Sequence, residues 1–130
     1  MTPLLSMQGR LNRAKYFWRT LIVSVSANVA AFLVGALLGG IIGEGAEPAA
    51  LSGGFMLGLA AALMIAFEAV KRLHDLDRPG VHYWLLYIPF YNIYLGLLLL
   101  FKKGTSGPNQ YGNDPLAAPQ SEMAAARYAA

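Results

Sequence analysis

The chain has 130 residues, a length for one domain, of which 56% are hydrophobic and only 13% charged, against about 25% charged in average soluble domains. So little charge cannot cover the surface of a soluble domain, and the composition points to a membrane protein. Cysteine is absent, which excludes disulfides, thiolate metal ligands and a cysteine nucleophile. The net charge of +3 matters less than where the charges lie.

The first readable element is "GRLNRAKYFW" (9–18). Asn12 is a good N-cap for a helix that follows it. Arg10, Arg13, Lys15 and Arg19 form a basic group, able to snorkel towards lipid phosphates. Tyr16, Phe17 and Trp18 fall where an interfacial aromatic belt belongs. Thr20 to Gly43 then runs 24 residues without a charge. That exceeds the h-region of a cleaved signal peptide, about 7–15 residues, so the segment reads as a retained anchor. The first span is expected over about 17–43.

The connector "GEGAEP" carries Glu44 and Glu47 and no base. Pro48 to Phe67 is uncharged over 20 residues, and a second span is expected over about 49–70, since about 20 apolar residues cross a bilayer. Small residues recur at helical spacing in both spans: Ser24, Asn28, Ala31, Gly35 and Gly39 in the first, and Gly54, Gly58, Ala62 and Ala66 in the second. Gly35, Gly39, Gly54 and Gly58 are therefore expected to bring the two helices into close contact, with a homo-oligomer contact as the alternative use. Asn28, near mid-membrane, is expected to bond to a neighbouring helix.

"EAVKRLHDLDRPG" (68–80) crowds six charges and a histidine between two uncharged stretches. If the helix continues past Phe67, Glu68, Arg72 and Asp75 share one face, with Glu68–Arg72 in the favoured i,i+4 order and Arg72–Asp75 at i,i+3. Asp75 and Asp77 are plausible partners for Arg10 or Arg13, and Pro79–Gly80 signals a turn that ends the helix. Glu68, His74, Asp75, Asp77 and His82 are oxygen and nitrogen donors, but their spacing matches no metal motif. No nucleophile or oxyanion constellation accompanies His74. No metal, cofactor or catalytic residue is expected.

"VHYWLLYIPFYNIYLGLLLLF" (81–101) is again uncharged. Two readings compete. A third span over about 81–101, kinked at Pro89, is the preferred one. It leaves Lys102 and Lys103 on the side that the positive-inside rule assigns to few bases. A re-entrant hairpin turning near "PFYN" returns both lysines to the cytoplasmic side, but its halves are too short to cross alone. After it, "GTSGPNQYGNDP" (104–115) is dense in turn residues, with Tyr111 as an aromatic anchor. Residues 117–130 are an alanine-rich tail with the composition of a frayed terminus.

Taken in order around three apolar segments, "GRLNRAKYFW", "RLHDLDRPG" and "GTSGPNQYGNDP" resemble the bacterial integral membrane family catalogued as domain of unknown function 805, over roughly residues 8–115. The resemblance carries over Gly9, Arg10, Arg13, Phe17, Trp18, Arg72, Leu73, His74, Asp75, Arg78, Gly80, Pro89, Gly104, Gly107, Asn109, Tyr111, Gly112, Asp114 and Pro115. Pro79 stands where the family usually has serine, Val81 where it often has tryptophan, and Lys102 and Lys103 replace a usually uncharged exit. The resemblance implies a small inner-membrane protein and supplies no established activity.

The expectation is an all-α, polytopic protein with a single three-span domain (1–116), multi-pass in the bacterial inner membrane with its N-terminus cytoplasmic. The leading function is a non-catalytic interaction or accessory module. Arg10, Arg13, Arg72, His74, Asp75 and Arg78 would hold lipid headgroups or a membrane protein partner, and no nucleic acid. A small oligomeric channel or transporter using Asn28, Glu68 and Asn92, and a lipid-acting enzyme using His74 and Asp75, are the alternatives.

Overall fold

The structure, a computed structural model, describes residues 5–117. Helix α1 spans Arg13–Ile42 and helix α2 spans Glu47–Asp75. A 3₁₀ segment, Gly80–Tyr87, and helix α3, Tyr91–Phe101, complete the regular structure. The alanine-rich stretch expected over 117–130 lies almost wholly outside the described residues.

Asn12 starts α1 as its residue type predicts: it has extended backbone, and its Oδ1 accepts from the Lys15 amide at 2.8 Å. At about 1.5 Å per residue, each long helix exceeds the ~30 Å hydrocarbon thickness, and both are apolar enough to cross a membrane. They pack as an antiparallel pair. Gly43 and Gly45 make the turn between them with positive φ values of 71° and 102°, a region glycine enters without Cβ strain.

α2 outlasts its apolar stretch and carries the connector's charges as helix up to Asp75. It stops in a Schellman motif: the Asp77 amide donates to the His74 carbonyl at 3.1 Å and the Arg78 amide to Leu73 at 2.9 Å. Asp77 takes the left-handed position usually given to glycine (φ 56°), and Pro79 forbids further helix.

The third apolar segment does not form one helix kinked at Pro89. The 3₁₀ segment ends at Tyr87, and Ile88 after it takes extended backbone, as the residue before a proline is biased to do. Phe90 turns the chain with φ 65°, and α3 runs only 11 residues, about 16 Å. Both ends of the segment lie at the same pole. Gly80 packs against Val70 and His74 near the end of α2. Arg72 of α2 donates to the carbonyls of Leu99 (2.8 Å) and Lys102, and Arg13 of α1 to that of Phe101 (3.3 Å). The segment thus goes in and comes back. The unpaired carbonyls at the end of α3, the negative end of its dipole, are what the arginines hold.

This pole also contains the only extensive side-chain core among the described residues. Leu11, Tyr16, Ala69, Leu73, Leu76, Leu95 and Leu99 are buried together, joining the N-terminal arm to α1, α2 and α3. Away from it the helices present large apolar side chains outward, among them Phe32, Ile41, Leu51 and Phe55. Such a surface is compatible with lipid as the surrounding medium.

Candidate functional site

The buried polar groups collect at the same pole. Arg10, Glu68, Lys71, Arg72 and Asp75 are all at most 4% exposed, although charged side chains are almost never fully buried unless paired. Two linked clusters satisfy them.

In the first, Asp75 sits between two guanidinium groups. Its Oδ1 accepts from Arg10 Nε at 3.1 Å and its Oδ2 from Arg72 Nη1. Arg10 also donates to the carbonyls of Thr105, Gly107 and Gly112, so one side chain from the N-terminal arm draws in the C-terminal turn. The Asp75 carbonyl accepts from both the amide (2.9 Å) and the hydroxyl (3.1 Å) of Thr105. Gly104 lies against the carboxylate so closely that a Cβ there would overlap Asp75 Oδ2. In the second cluster, Glu68 is paired with Lys71 one turn along α2 and with Arg19 of α1 at 3.1 Å. The sequence-based pairing of Glu68 with Arg72 is therefore replaced: Arg72 turns to Asp75 and the end of α3, and Lys71 takes Glu68.

His74 stands beside these clusters. Its ring stacks on Tyr111 with centroids 3.9 Å apart and planes within 4°. Its Nδ1 is 3.3 Å from the Gly9 carbonyl. A carbonyl only accepts, so in the neutral ring this bond places the proton on Nδ1 and leaves the lone pair on Nε2. Asn109 donates to the His74 carbonyl at 2.9 Å. The turn holding Asn109 and Tyr111 is closed by reciprocal amide bonds between Asn109 and Gly112. Asp114 supports it by accepting from the Leu116 and Gly107 amides, and those bonds hold its carboxyl below the usual range.

Of the six residues expected to bind headgroups or a partner, the structure joins Arg10, Arg72 and Asp75 in one buried cluster and sets His74 at its edge. Arg13 is exposed and reaches the Phe101 carbonyl. Arg78 is half-buried, with no side-chain hydrogen bond or ion pair among the described residues. Sequence reasoning missed Lys71, one position from the face it considered. It also missed Thr105 and Gly104, whose roles are backbone contacts that side-chain chemistry does not announce.

The small-residue faces are used unevenly. A Cβ at Gly35 or Gly54 would lie 3.9 Å from Ala50 or Ala31 across the α1–α2 contact, but at Gly39 or Gly58 it would meet nothing within 4 Å. The tightest approach is at Gly53, where a Cβ would be 3.3 Å from Val34 Cγ1. Asn28 does not bond across helices; its amide donates to Ser24 on its own helix at 2.8 Å. Asn28 and Gly58 line a shallow groove of about 270 Å³. Of the other two residues of the channel reading, Glu68 is enclosed at the pole and Asn92 is exposed at the start of α3.

A family model described as "Protein of unknown function (DUF805)" matches residues 4–113, and the chain belongs to that family. Among curated relatives, the inner membrane protein YhaI of Escherichia coli strain K12 is 37% identical over 108 residues, covering 82% of this chain and 83% of the relative. The same protein from Escherichia coli O157:H7 matches to the same extent. No solved structure matches the chain.

Proposed function

Taking membership of this family as the premise, we propose that the chain is a non-catalytic, multi-pass inner-membrane module that engages anionic lipid headgroups at its cytoplasmic face. The N-terminal arm, the α2–3₁₀ connector and the tail after α3 all lie on that face. The observation that carries this reading is the return of α3 to the pole of Arg10 and Arg72. It groups Lys102 and Lys103 with every other described base, while Glu44 and Glu47 stand alone at the opposite turn. That is the asymmetry the positive-inside rule requires, without the conflict a third full span creates.

Within this reading, the buried Arg10–Asp75–Arg72 cluster is structural. Its donors are satisfied by a carboxylate and by backbone carbonyls, so headgroup contact falls to the rim: Arg13, Lys15, Lys102 and Lys103, all exposed, and Arg78. Each base near an anionic surface contributes about 1 kcal/mol of attraction, screened by salt.

The test is lipid enrichment around the purified full chain in mixed phosphatidylglycerol–phosphatidylcholine bilayers. Wild type should enrich phosphatidylglycerol, less so at high salt, and glutamine at the five rim positions should abolish the enrichment. Unchanged enrichment in a folded rim variant would refute the headgroup role.

A further inference from the structure

An apolar crevice of about 550 Å³ runs between α2 and the 3₁₀ segment. Leu59, Leu63 and Ala66 line it from α2, Trp84 and Tyr87 line it from the 3₁₀ segment, and His74 closes its polar end. From Leu59 to Val70, α2 rises about 16 Å, half the ~30 Å hydrocarbon core. The crevice therefore matches the depth of one leaflet, with its mouth at the basic pole.

The mouth has its own chemistry. Gly80 allows the 3₁₀ segment to start there, since a Cβ would come within 2.9 Å of Val70 and 3.3 Å of His74 Nε2. Arg78 lies two residues before Gly80 and makes no ion pair among the described residues. The neighbouring acid, Asp77, accepts instead from Gln110 at 3.2 Å.

We infer that this crevice is a binding site for one anionic phospholipid of the cytoplasmic leaflet. An acyl chain lies along Leu59–Ala66 against Trp84 and Tyr87, and the phosphate sits at Arg78. The inference deepens the headgroup reading and rests on its sidedness, but it differs from the rim in needing an acyl chain as well as a charge. Burial of each methylene favours the bound state, and the Arg78 guanidinium selects for negative charge.

The experiment uses the full chain in vesicles containing phosphatidylglycerol with a photoactivatable diazirine on its acyl chain, and maps the labelled peptides. Labelling should concentrate on 59–70 and 81–87, at least fivefold above the outward face of α1 (21–41). Equal labelling of the two regions overturns the site. Ala66→Phe fills the crevice and should reduce crevice labelling at least fivefold; a folded Ala66→Phe chain labelled like wild type also overturns it. If that variant does not fold, the wild-type map decides. Crevice occupancy is read from the label map of the wild-type chain and the rim from phosphatidylglycerol enrichment, so the two readings can fail separately. The matching phosphatidylcholine probe should label the crevice several-fold less, and Arg78→Gln should remove that preference. Equal labelling by both probes in wild type overturns the anionic assignment.

Discussion

Asp75 joins the beginning of the chain to its middle: one carboxylate oxygen accepts from Arg10, 65 positions earlier, and the other from Arg72 in its own helix. Both guanidinium groups are nearly inaccessible, so removing the carboxylate leaves two buried cations short of a counter-ion. Asp75→Ala should destabilise the protein by about 3–5 kcal/mol, read from unfolding in detergent. Asp114→Ala, which removes a carboxylate outside the cluster, should lose less. In a double-mutant cycle Arg10→Ala with Asp75→Ala should lose about 0.5–3 kcal/mol less than the two singles summed. Strict additivity would mean that the two residues are not coupled.

Gly104 predicts a steric defect of different origin. Because a Cβ would overlap the Asp75 carboxylate, Gly104→Ala must push either the tail or Asp75 aside. A loss of at least about 1–3 kcal/mol, the usual scale of overpacking, is expected in the same unfolding assay. Gly112→Ala should not displace Asp75, since open space surrounds that position, although its φ of 130° strains any side chain there.

Between the two long helices the contrast is Gly53 against Gly58. Gly53→Ile should lower the melting temperature, because Val34 already stands at contact distance. Gly58→Ile should leave it nearly unchanged, because its side chain enters an empty groove. The reverse order would show that α1 and α2 pack in another register.

Sidedness can be read without a cysteine-free background having to be made, since the chain has none. Single cysteines at Ser106 and Glu44 should react with an impermeant maleimide from opposite sides of the membrane, Ser106 from the cytoplasm. A reporter fused after Ala130 should likewise report the cytoplasm. A periplasmic signal from both would establish a third complete crossing and remove the re-entrant path.

The end of α2 offers a stabilising change. Asp77 holds a left-handed conformation, which disfavours side chains less for Asp than for most residues. Asp77→Val should destabilise by about 1–2 kcal/mol. Asp77→Gly should unfold no earlier than wild type, the lost Gln110 contact being exposed. Earlier unfolding of the glycine variant would mean that the carboxylate matters more than the backbone.

Much of this was legible in the residues. Uncharged length marked α1 and α2, Asn12 marked the start of α1, and helical phase brought Arg72 and Asp75 together. The path of 81–101 was not settled, because hydropathy counts apolar residues without regard to their direction of travel. Its two signs, Pro89 and the misplaced Lys102–Lys103 pair, were visible, but the deciding contacts are backbone carbonyls held by distant arginines. Lys71 was missed because neighbouring helix positions are about 100° apart, and helical phase alone did not show that α1 and the N-terminal arm would enclose both. Gly53 was missed because a repeat of four singles out Gly54 and Gly58, whereas the tightest approach falls one position outside that row.

The ring of bonds around Arg10 also has a consequence for biosynthesis. Its carbonyl partners lie 95 to 102 residues further along, and synthesis at about 5–20 residues per second delivers them roughly 5–20 s after Arg10. Until then Arg10 can already pair with Asp75, but the donors that the finished protein turns to the tail stay open. A product truncated before Thr105 keeps those donors open permanently, so completion of translation is what seals this end of the molecule.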